Sequence, residues 1–220
     1  MPVLNEAATL RSALRALQPL RLAGHEVIII DGGSSDDSAA LAADYADRVI
    51  HSAPGRARQM NAGAQAANGN ILLFLHADTL LPRDALQAIS AGLKRSGNCW
   101  GRFDVRLAGR PWPLRLVEAM MNLRSRLSGI ATGDQAIFVR RSAFEKIGGY
   151  PPIDLMEDIA ISKDLKRISP PLCLRQQVIS SSRRWERNGI LSTILLMWRL
   201  RLAYFLGADP AQLARRYYHP

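Results

Sequence analysis

The sequence predicts an α/β protein built on a mostly parallel sheet flanked by helices. Two apolar runs carry that prediction, Val27–Ile30 and Ile71–Leu75. Each is short and wholly apolar and stops abruptly at an acid-bearing turn, the pattern of a strand covered on both faces inside a parallel sheet. The stretches around them have helical spacing, so strand and helix alternate through the first half. At 220 residues, 48% of them hydrophobic and 22% charged, the chain suits one domain with a real core. Residues 1–98, 99–188 and 189–220 are expected to form its two halves and a C-terminal helical segment.

The elements follow in order. Asn5 can cap a helix over Glu6–Leu17, with Leu10, Leu14 and Leu17 on one stripe. Almost nothing precedes it, so the first strand is largely missing, and truncation at the start is the favoured reading because a gap would leave neighbouring backbone groups unpaired. Val27–Ile30 ends in Asp31-Gly32-Gly33. Ser34 or Ser35 then caps a helix, with Asp36 and Asp37 in its favourable first turn. Val49-Ile50 is a short third strand, and an Ala-rich helix over Arg56–Ala67 is closed by Asn68-Gly69. Ile71–Leu75 is the fourth strand, and Arg83–Lys94 a helix with Leu86, Ile89 and Leu93 inward.

The second half changes character. Trp100–Leu107 alternates, Phe103, Val105 and Leu107 against Arg102, Asp104 and Arg106, which predicts a half-exposed strand, antiparallel or at an edge. Leu114–Leu127 is helical and Gln135–Arg140 a strand. Ser142 to Glu145 reads as a capping box for a short helix stopped by Gly148-Gly149. A helix over Glu157–Lys166 and a strand over Leu172–Ser180 follow. Gly189–Leu206 is the most apolar helical stretch; Arg199 and Arg201 interrupt it, so it suits a surface, protein or lipid, better than a membrane span.

Charge is placed unevenly. The net charge is +10, yet residues 1–98 carry 9 basic and 9 acidic side chains and residues 99–220 carry 20 and 10. The excess therefore lies in the second half and points to an anionic partner there: a phosphorylated substrate, an anionic membrane surface or nucleic acid. No nucleic-acid module is recognisable, which makes that partner the least favoured, and a merely solvated face would need no partner. Cys99 and Cys173 have no metal-ligand spacing and read as buried apolar residues rather than a disulfide. No signal peptide is visible, so a cytoplasmic location is expected.

Three acidic sites stand out. Asp78, at the carboxyl end of a buried strand, sits where open α/β sheets bind ligands and could hold a divalent cation; a turn aspartate is the plain alternative. Asp31 ends a buried strand before two glycines and could accept a hydrogen bond from a nucleobase, or simply shape a strand-to-helix turn. Glu157-Asp158 begins a helix, where acids favour the dipole whatever else they do.

Together these sites resemble the inverting family-two glycosyltransferases of the GT-A fold. The resemblance runs through Pro2-Val3-Leu4-Asn5-Glu6, Asp31-Gly32-Gly33-Ser34, His76-Ala77-Asp78, Gly133-Asp134-Gln135, Phe144–Pro151, Glu157-Asp158 and Arg184-Trp185, in order and at compatible spacings. It covers nearly the whole chain and is closest to the small bacterial members. What it implies is a nucleotide-diphosphate sugar donor, UDP- or GDP-type, held by Asn5, Glu6, Asp31, Gly33, Ala77 and Asp78, with Arg56 or Arg58 near its phosphates. Asp78 would be the metal-binding aspartate, holding Mg²⁺ or Mn²⁺ against the diphosphate as a Lewis acid. Asp158 would be the general base on an acceptor hydroxyl, in one inverting displacement. Gly133, Asp134, Glu157, Arg184 and Trp185 would line the acceptor and phosphate region. The acceptor is expected to be lipid-linked or anionic, with the chain peripheral at the inner membrane face.

The sequence departs from the family pattern at His76, where the first Asp of D-x-D usually stands, and at Ser181, where processive members carry Gln before Arg184-Trp185. Single sugar transfer is therefore expected rather than polymerisation. Two rivals are a sugar-phosphate nucleotidyltransferase, whose Gly-rich loop and Lys are absent, and a non-enzymatic basic adaptor binding membrane or nucleic acid, which leaves the acidic motifs unexplained.

Overall fold

The computed structural model describes residues 1–218; the last two residues of the predicted C-terminal segment lie outside them. The first half holds a parallel three-stranded sheet, β1 (Pro2–Val3), β2 (Ile28–Asp31) and β3 (Arg48–His51), in that order. The register aligns Val3 with Asp31 and Asp31 with His51, so the strand carboxyl ends make one rim. The strand expected to be largely missing is present as two residues. Gln59 fastens it: its buried Nε2 donates to the carbonyls of Val3 and Ile30, at 2.9 and 2.8 Å.

Helices α1 (Ala7–Leu22), α2 (Ser38–Ala43) and α3 (Arg56–Ala66) flank this sheet. Two predicted caps are corrected. Asn5 is not the cap of α1, which begins one residue later behind Glu6. Asn5 takes φ 54° and turns its side-chain oxygen across to the Ser35 N–H, 2.8 Å away. Helix α2 begins at Ser38, after Ser34 and Ser35, because Asp36 is used as a turn acid: its carboxylate accepts from the Ser38 N–H at 3.0 Å and the Ala7 N–H at 3.1 Å. One carboxylate thus ties two helix starts together. Helix α1 also runs on through Pro19 to Leu22, past the leucine stripe that marked its predicted end.

The second sheet has the order β4-β7-β6-β8-β5, with β4 Ile71–Leu73, β5 Thr79–Leu80, β6 Trp100–Leu107, β7 Phe138–Arg140 and β8 Leu172–Ser180. It is mixed. Strand β4 pairs antiparallel with β7, so this apolar run is not held in a parallel pair as its composition suggested. Strand β6 is the larger correction: it lies in the middle, antiparallel to β7 and parallel to β8. Helix α5 (Trp112–Ser128) covers the start of the strand's polar face, burying Arg102 and half-burying Asp104, while Arg106 stays exposed. Arg102 is fully buried there, paired with Asp104 and donating to the Asn122 carbonyl at 3.2 Å. The expected exposed face is thus met at Arg106 and overturned at Arg102.

Helix α4 is Ala85–Ser96, two residues later than predicted at both ends. The predicted strand from Gln135 is regular only from Phe138, because Gly133–Gln135 forms a 3-10 turn closed by a capping box between Thr132 and Gln135. Helix α6 (Arg141–Lys146) starts behind Arg140, which puts Ser142 inside its first turn rather than at the cap; Gly148 and Gly149, at φ 78° and 82°, end it as expected. Helix α7 (Glu157–Lys166) and strand β8 fall on their predicted spans. Helices α8 (Arg183–Asn188), α9 (Ile190–Phe205) and α10 (Pro210–Tyr218) complete the chain. No described helix is long and apolar enough to cross a membrane.

Candidate functional site

A cleft of about 1400 Å³ opens at the carboxyl end of the parallel strands. Its floor is made by five separate segments: Pro2–Glu6, Gly55-Arg56, His76–Asp78, Thr132–Asp134 and Leu155–Asp158. Helices α5, α8, α9 and α10 supply the walls. Of the residues singled out from the sequence, Asn5, Glu6, Arg56, Ala77, Asp78, Gly133, Asp134, Glu157, Asp158, Arg184 and Trp185 line this one space. Asp31, Gly33 and Arg58 do not.

Asp31 is buried and inward-turned. Its carboxylate accepts from the N–H groups of Gly33 and Ser34, both at 3.1 Å, and lies 3.3 Å from His51 Nδ1. Burial works against its ionisation, but the Ser34, Gly33 and His51 hydrogen bonds prevail and lower its pKa. The turn needs Gly33 at φ 89°, a left-handed conformation that a side chain would strain. Arg58 is exposed to solvent, its Nη1 3.5 Å from the Pro54 carbonyl.

At the strand end, His76 Nδ1 lies 3.5 Å from Asp134 Oδ1. Gly133 permits that approach, since a Cβ there would overlap the His76 ring. Enclosure raises the pKa of Asp134, yet His76, Arg56 and the Ser180 hydroxyl together bring it below its ordinary value. Asp78 is about a quarter exposed, and its nearest described cation is Arg183, whose Nη2 is 3.7 Å from Oδ2. The same guanidinium reaches Glu6 Oε2 at 3.1 Å. Arg184 lies over the Tyr217 ring, 3.8 Å from its centroid.

The two acids that open α7 have different surroundings. Asp158 Oδ2 accepts from the Gly133 N–H at 3.2 Å and Oδ1 from the Ile159 N–H at 2.7 Å, which fixes the carboxylate at the cleft. Glu157 is buried; desolvation and then the neighbouring Asp158 charge push its pKa up to about 7, with Arg56 and His76 opposing. Three non-glycine residues have positive φ among the described residues: Asn5, Ala136 and Met156 at 54°, 48° and 69°. They stand in the segments that present Glu6, Asp134 and Glu157, where strain is held by surrounding structure.

No group of three His, Cys, Asp or Glu is placed to cage a metal ion among the described residues. The donor set fits a different arrangement. Magnesium and manganese are hard cations that take one or two carboxylates and complete their shell with substrate phosphates and water. Asp78 offers one such carboxylate, open to the cleft. Sequence reading assigned no site role to Arg183, Gln59, Arg124, Arg201 or the tyrosines of α10, because only tertiary packing brings them to the cleft.

The architecture defines an α/β protein of the GT-A glycosyltransferase type. S. aureus TarS 1-349 in complex with UDP-GlcNAc superposes with a TM-score of 0.67 at 16% identity, over 82% of this chain and 56% of that one. The mannosyltransferase PcManGT from Pyrobaculum calidifontis, in complex with GDP-Man and Mn²⁺, gives 0.65 at 19% identity, over 98% and 67%. The family profile "Glycosyl transferase family 2" matches residues 1–148, and the chain belongs to that family. The PGL/p-HBAD biosynthesis glycosyltransferase of Mycobacterium bovis is 30% identical over 161 residues, 68% of this chain and 61% of that protein. The uncharacterized protein MT1568 of Mycobacterium tuberculosis is 34% identical over 95 residues, 41% of this chain and 30% of that protein. The chain thus spans less than two thirds of the length of these curated relatives.

Proposed function

We propose that the chain transfers one sugar from a UDP- or GDP-type nucleotide-diphosphate sugar to an acceptor hydroxyl, with inversion and with a divalent cation. The observation that carries this reading is the convergence of Glu6, Asp78, Asp134 and Asp158 from distant segments on one cleft. Asp78 would hold Mg²⁺ or Mn²⁺, which when bound neutralises charge on the leaving diphosphate. Arg56 and Arg183 stand beside that region as further positive charge.

Asp158 is the general base in this reading. Its carboxylate is aimed by two backbone N–H donors and stays open on the cleft side, so it can take the acceptor proton as the hydroxyl attacks. Glu157 is less suited, being buried and partly protonated near neutrality. Asn5 and Glu6 at the rim, with Asp31 behind it, support the nucleoside end, and Trp185 with Arg184 the acceptor end.

The acceptor side also supports an anionic bilayer as the docking surface. Helix α9 exposes Leu191, Leu195, Trp198, Leu202 and Phe205 on one stripe, and α5 exposes Trp112, Leu116, Leu123 and Leu127 on another. The positive charge of residues 99–220 complements such a surface. The experiment that tests the catalytic reading is release of UDP or GDP from nucleotide-sugars with and without Mn²⁺. No release from any donor, together with no nucleotide binding, overturns it.

A further inference from the structure

We infer that Arg124 and Arg201 form a seat for an oxyanion, phosphate or carboxylate, carried by the sugar acceptor. This rests on the glycosyltransferase reading and adds the chemical class of the acceptor. Arg124 comes from α5 and Arg201 from α9, and both line the cleft that holds Asp158. Arg124 Nη2 and Arg201 Nε are fully enclosed and have no hydrogen-bond partner among the described residues. Neither guanidinium takes part in an ion pair there. An enclosed, unpaired charged donor is expensive to keep, and both half-buried side chains line one cleft, so a ligand there that draws the two guanidiniums onto itself would complete them.

The electrostatics agree. Burial first, and then the Arg201 charge, draw the pKa of Arg124 down to about 10; burial also lowers that of Arg201. Asp158 offsets both, and Asp134 also acts on Arg201. Of the other cleft arginines, Arg183 is engaged with Glu6 and Asp78, Arg184 lies over Tyr217, Arg56 is near the α10 tyrosines, Glu157 and Asp134, and Arg187 sits in the last turn of α8. The oxyanion seat therefore lies on the Asp158 side of the cleft, away from the Arg183–Asp78 contact where the donor diphosphate is expected. Guanidinium pairs suit this task, because their planar forks match the oxygens of a phosphate or carboxylate. Met120, Met121 and Met197 border the pair and offer an adaptable apolar wall for the rest of the acceptor. With its anion on the arginines, an acceptor presents its hydroxyl toward Asp158.

The test is calorimetry on the full chain, loaded with UDP and Mn²⁺ so that the donor site is filled, with glycerol 3-phosphate as the probe and glycerol as control. Saturable binding of the phosphate ester alone is expected. Arg124→Gln and Arg201→Gln should each weaken it about tenfold or more, since a hydrogen bond to a charged group is lost. UDP affinity should stay within about twofold, and Tm should hold or rise because an unpaired buried charge has gone. Arg124→Lys, which keeps the charge but not the fork, should fall between. Flotation on phosphatidylcholine vesicles with and without phosphatidic acid distinguishes sources: loss in the Gln variants assigns the oxyanion to a lipid headgroup, and unchanged flotation with lost glycerol 3-phosphate binding assigns it to a soluble acceptor. The inference is overturned if both variants bind the probe as wild type does, if they lose UDP as well, or if UDP displaces the probe. Should the protein bind no nucleotide diphosphate, the glycosyltransferase reading fails, while the same titration of nucleotide-free protein still decides whether the arginines hold an oxyanion.

Discussion

Arg183 Nη2 stands 3.7 Å from Asp78 Oδ2, so a guanidinium from the start of α8 occupies the space beside this strand-end carboxylate. Glu6 anchors the same guanidinium at 3.1 Å and, with Asp78, raises its pKa. In the proposed reaction a divalent cation at Asp78 would have to share or replace this contact, which would leave Arg183 to turn toward a donor diphosphate. The first strand's loop and the second half of the chain thus meet at the metal candidate.

Binding of UDP should therefore depend on both metal and Asp78. Asp78→Ala is expected to lower UDP affinity in Mn²⁺ by about tenfold or more, the loss of a charged contact. Arg183→Ala should also weaken UDP, yet strengthen binding of Mn²⁺ alone by removing the competing cation. Calorimetry with and without EDTA reads both. Equal UDP affinity in wild type and Asp78→Ala, or indifference to EDTA, would remove the metal assignment.

Asp158 and Asp78 should separate by what their loss leaves intact. A general base acts on the acceptor proton in the transition state, so Asp158→Asn should lower turnover about 10²–10⁴-fold with UDP affinity nearly unchanged. Asn keeps the shape and one acceptor oxygen, so it loses only one of the bonds from Gly133 and Ile159 and the fold should hold. Donor turnover and UDP binding measured side by side decide it. Wild-type turnover in Asp158→Asn, or outright loss of UDP binding, contradicts the role.

Parts of the fold were legible because their signals are local. Val27–Ile30, Arg56–Ala67 and Glu157–Lys166 each carry a periodic or uniformly apolar pattern bounded by an acid or a glycine, and each appears within a residue or so of its prediction. Strand β6 was misplaced for a physical reason. The pattern on Arg102 and Asp104 says that one face is polar, but only the arrival of α5 decides whether that face meets water. Asn5 was read as a local cap and Asp36 as a first-turn acid, whereas their side chains bond across chain segments far apart in sequence. The acidic members of the site were found through motif order. Arg124, Arg183 and Arg201 were given no site role, since convergence from α5, α8 and α9 is a tertiary event.

Glu157 gives the protein a pH signature. Its folded pKa of about 7 lies above the ordinary 4.5, so between these values the folded state holds more protons than the unfolded one. Stability is then fully present below about pH 4.5 and falls as pH rises through 7. Glu157→Gln should flatten the Tm–pH profile between pH 5 and 8 and raise Tm at pH 8. Parallel profiles for the two proteins would show that burial of Glu157 is not felt.

The membrane reading rests on the stripe of α9 and is separable from the core. Leu195 and Leu202 are 60% and 61% exposed, two turns apart on one face, while Thr193 and Leu200 on the opposite side are buried. Replacing the exposed pair should leave folding almost untouched, because neither side chain is packed. On a bilayer the same two residues would lose most of their remaining exposure, at roughly 25 cal/mol per Å² of apolar area. Leu195→Ser with Leu202→Ser should then reduce partitioning about tenfold or more, with Tm within a degree or two of wild type. The excess of basic residues in 99–220 predicts a second dependence: binding should rise with the fraction of phosphatidylglycerol and fall with salt, as surface charge is screened over about 8–10 Å. Flotation on neutral and anionic vesicles, at low and high ionic strength, reads both dependences for wild type and variant. Equal flotation on neutral and anionic lipid counts against docking through charge, and equal flotation of wild type and the double variant counts against docking through α9. A stripe that instead mediates self-association would show in the wild type as a concentration-dependent dimer, lost in the variant, with no lipid binding in either.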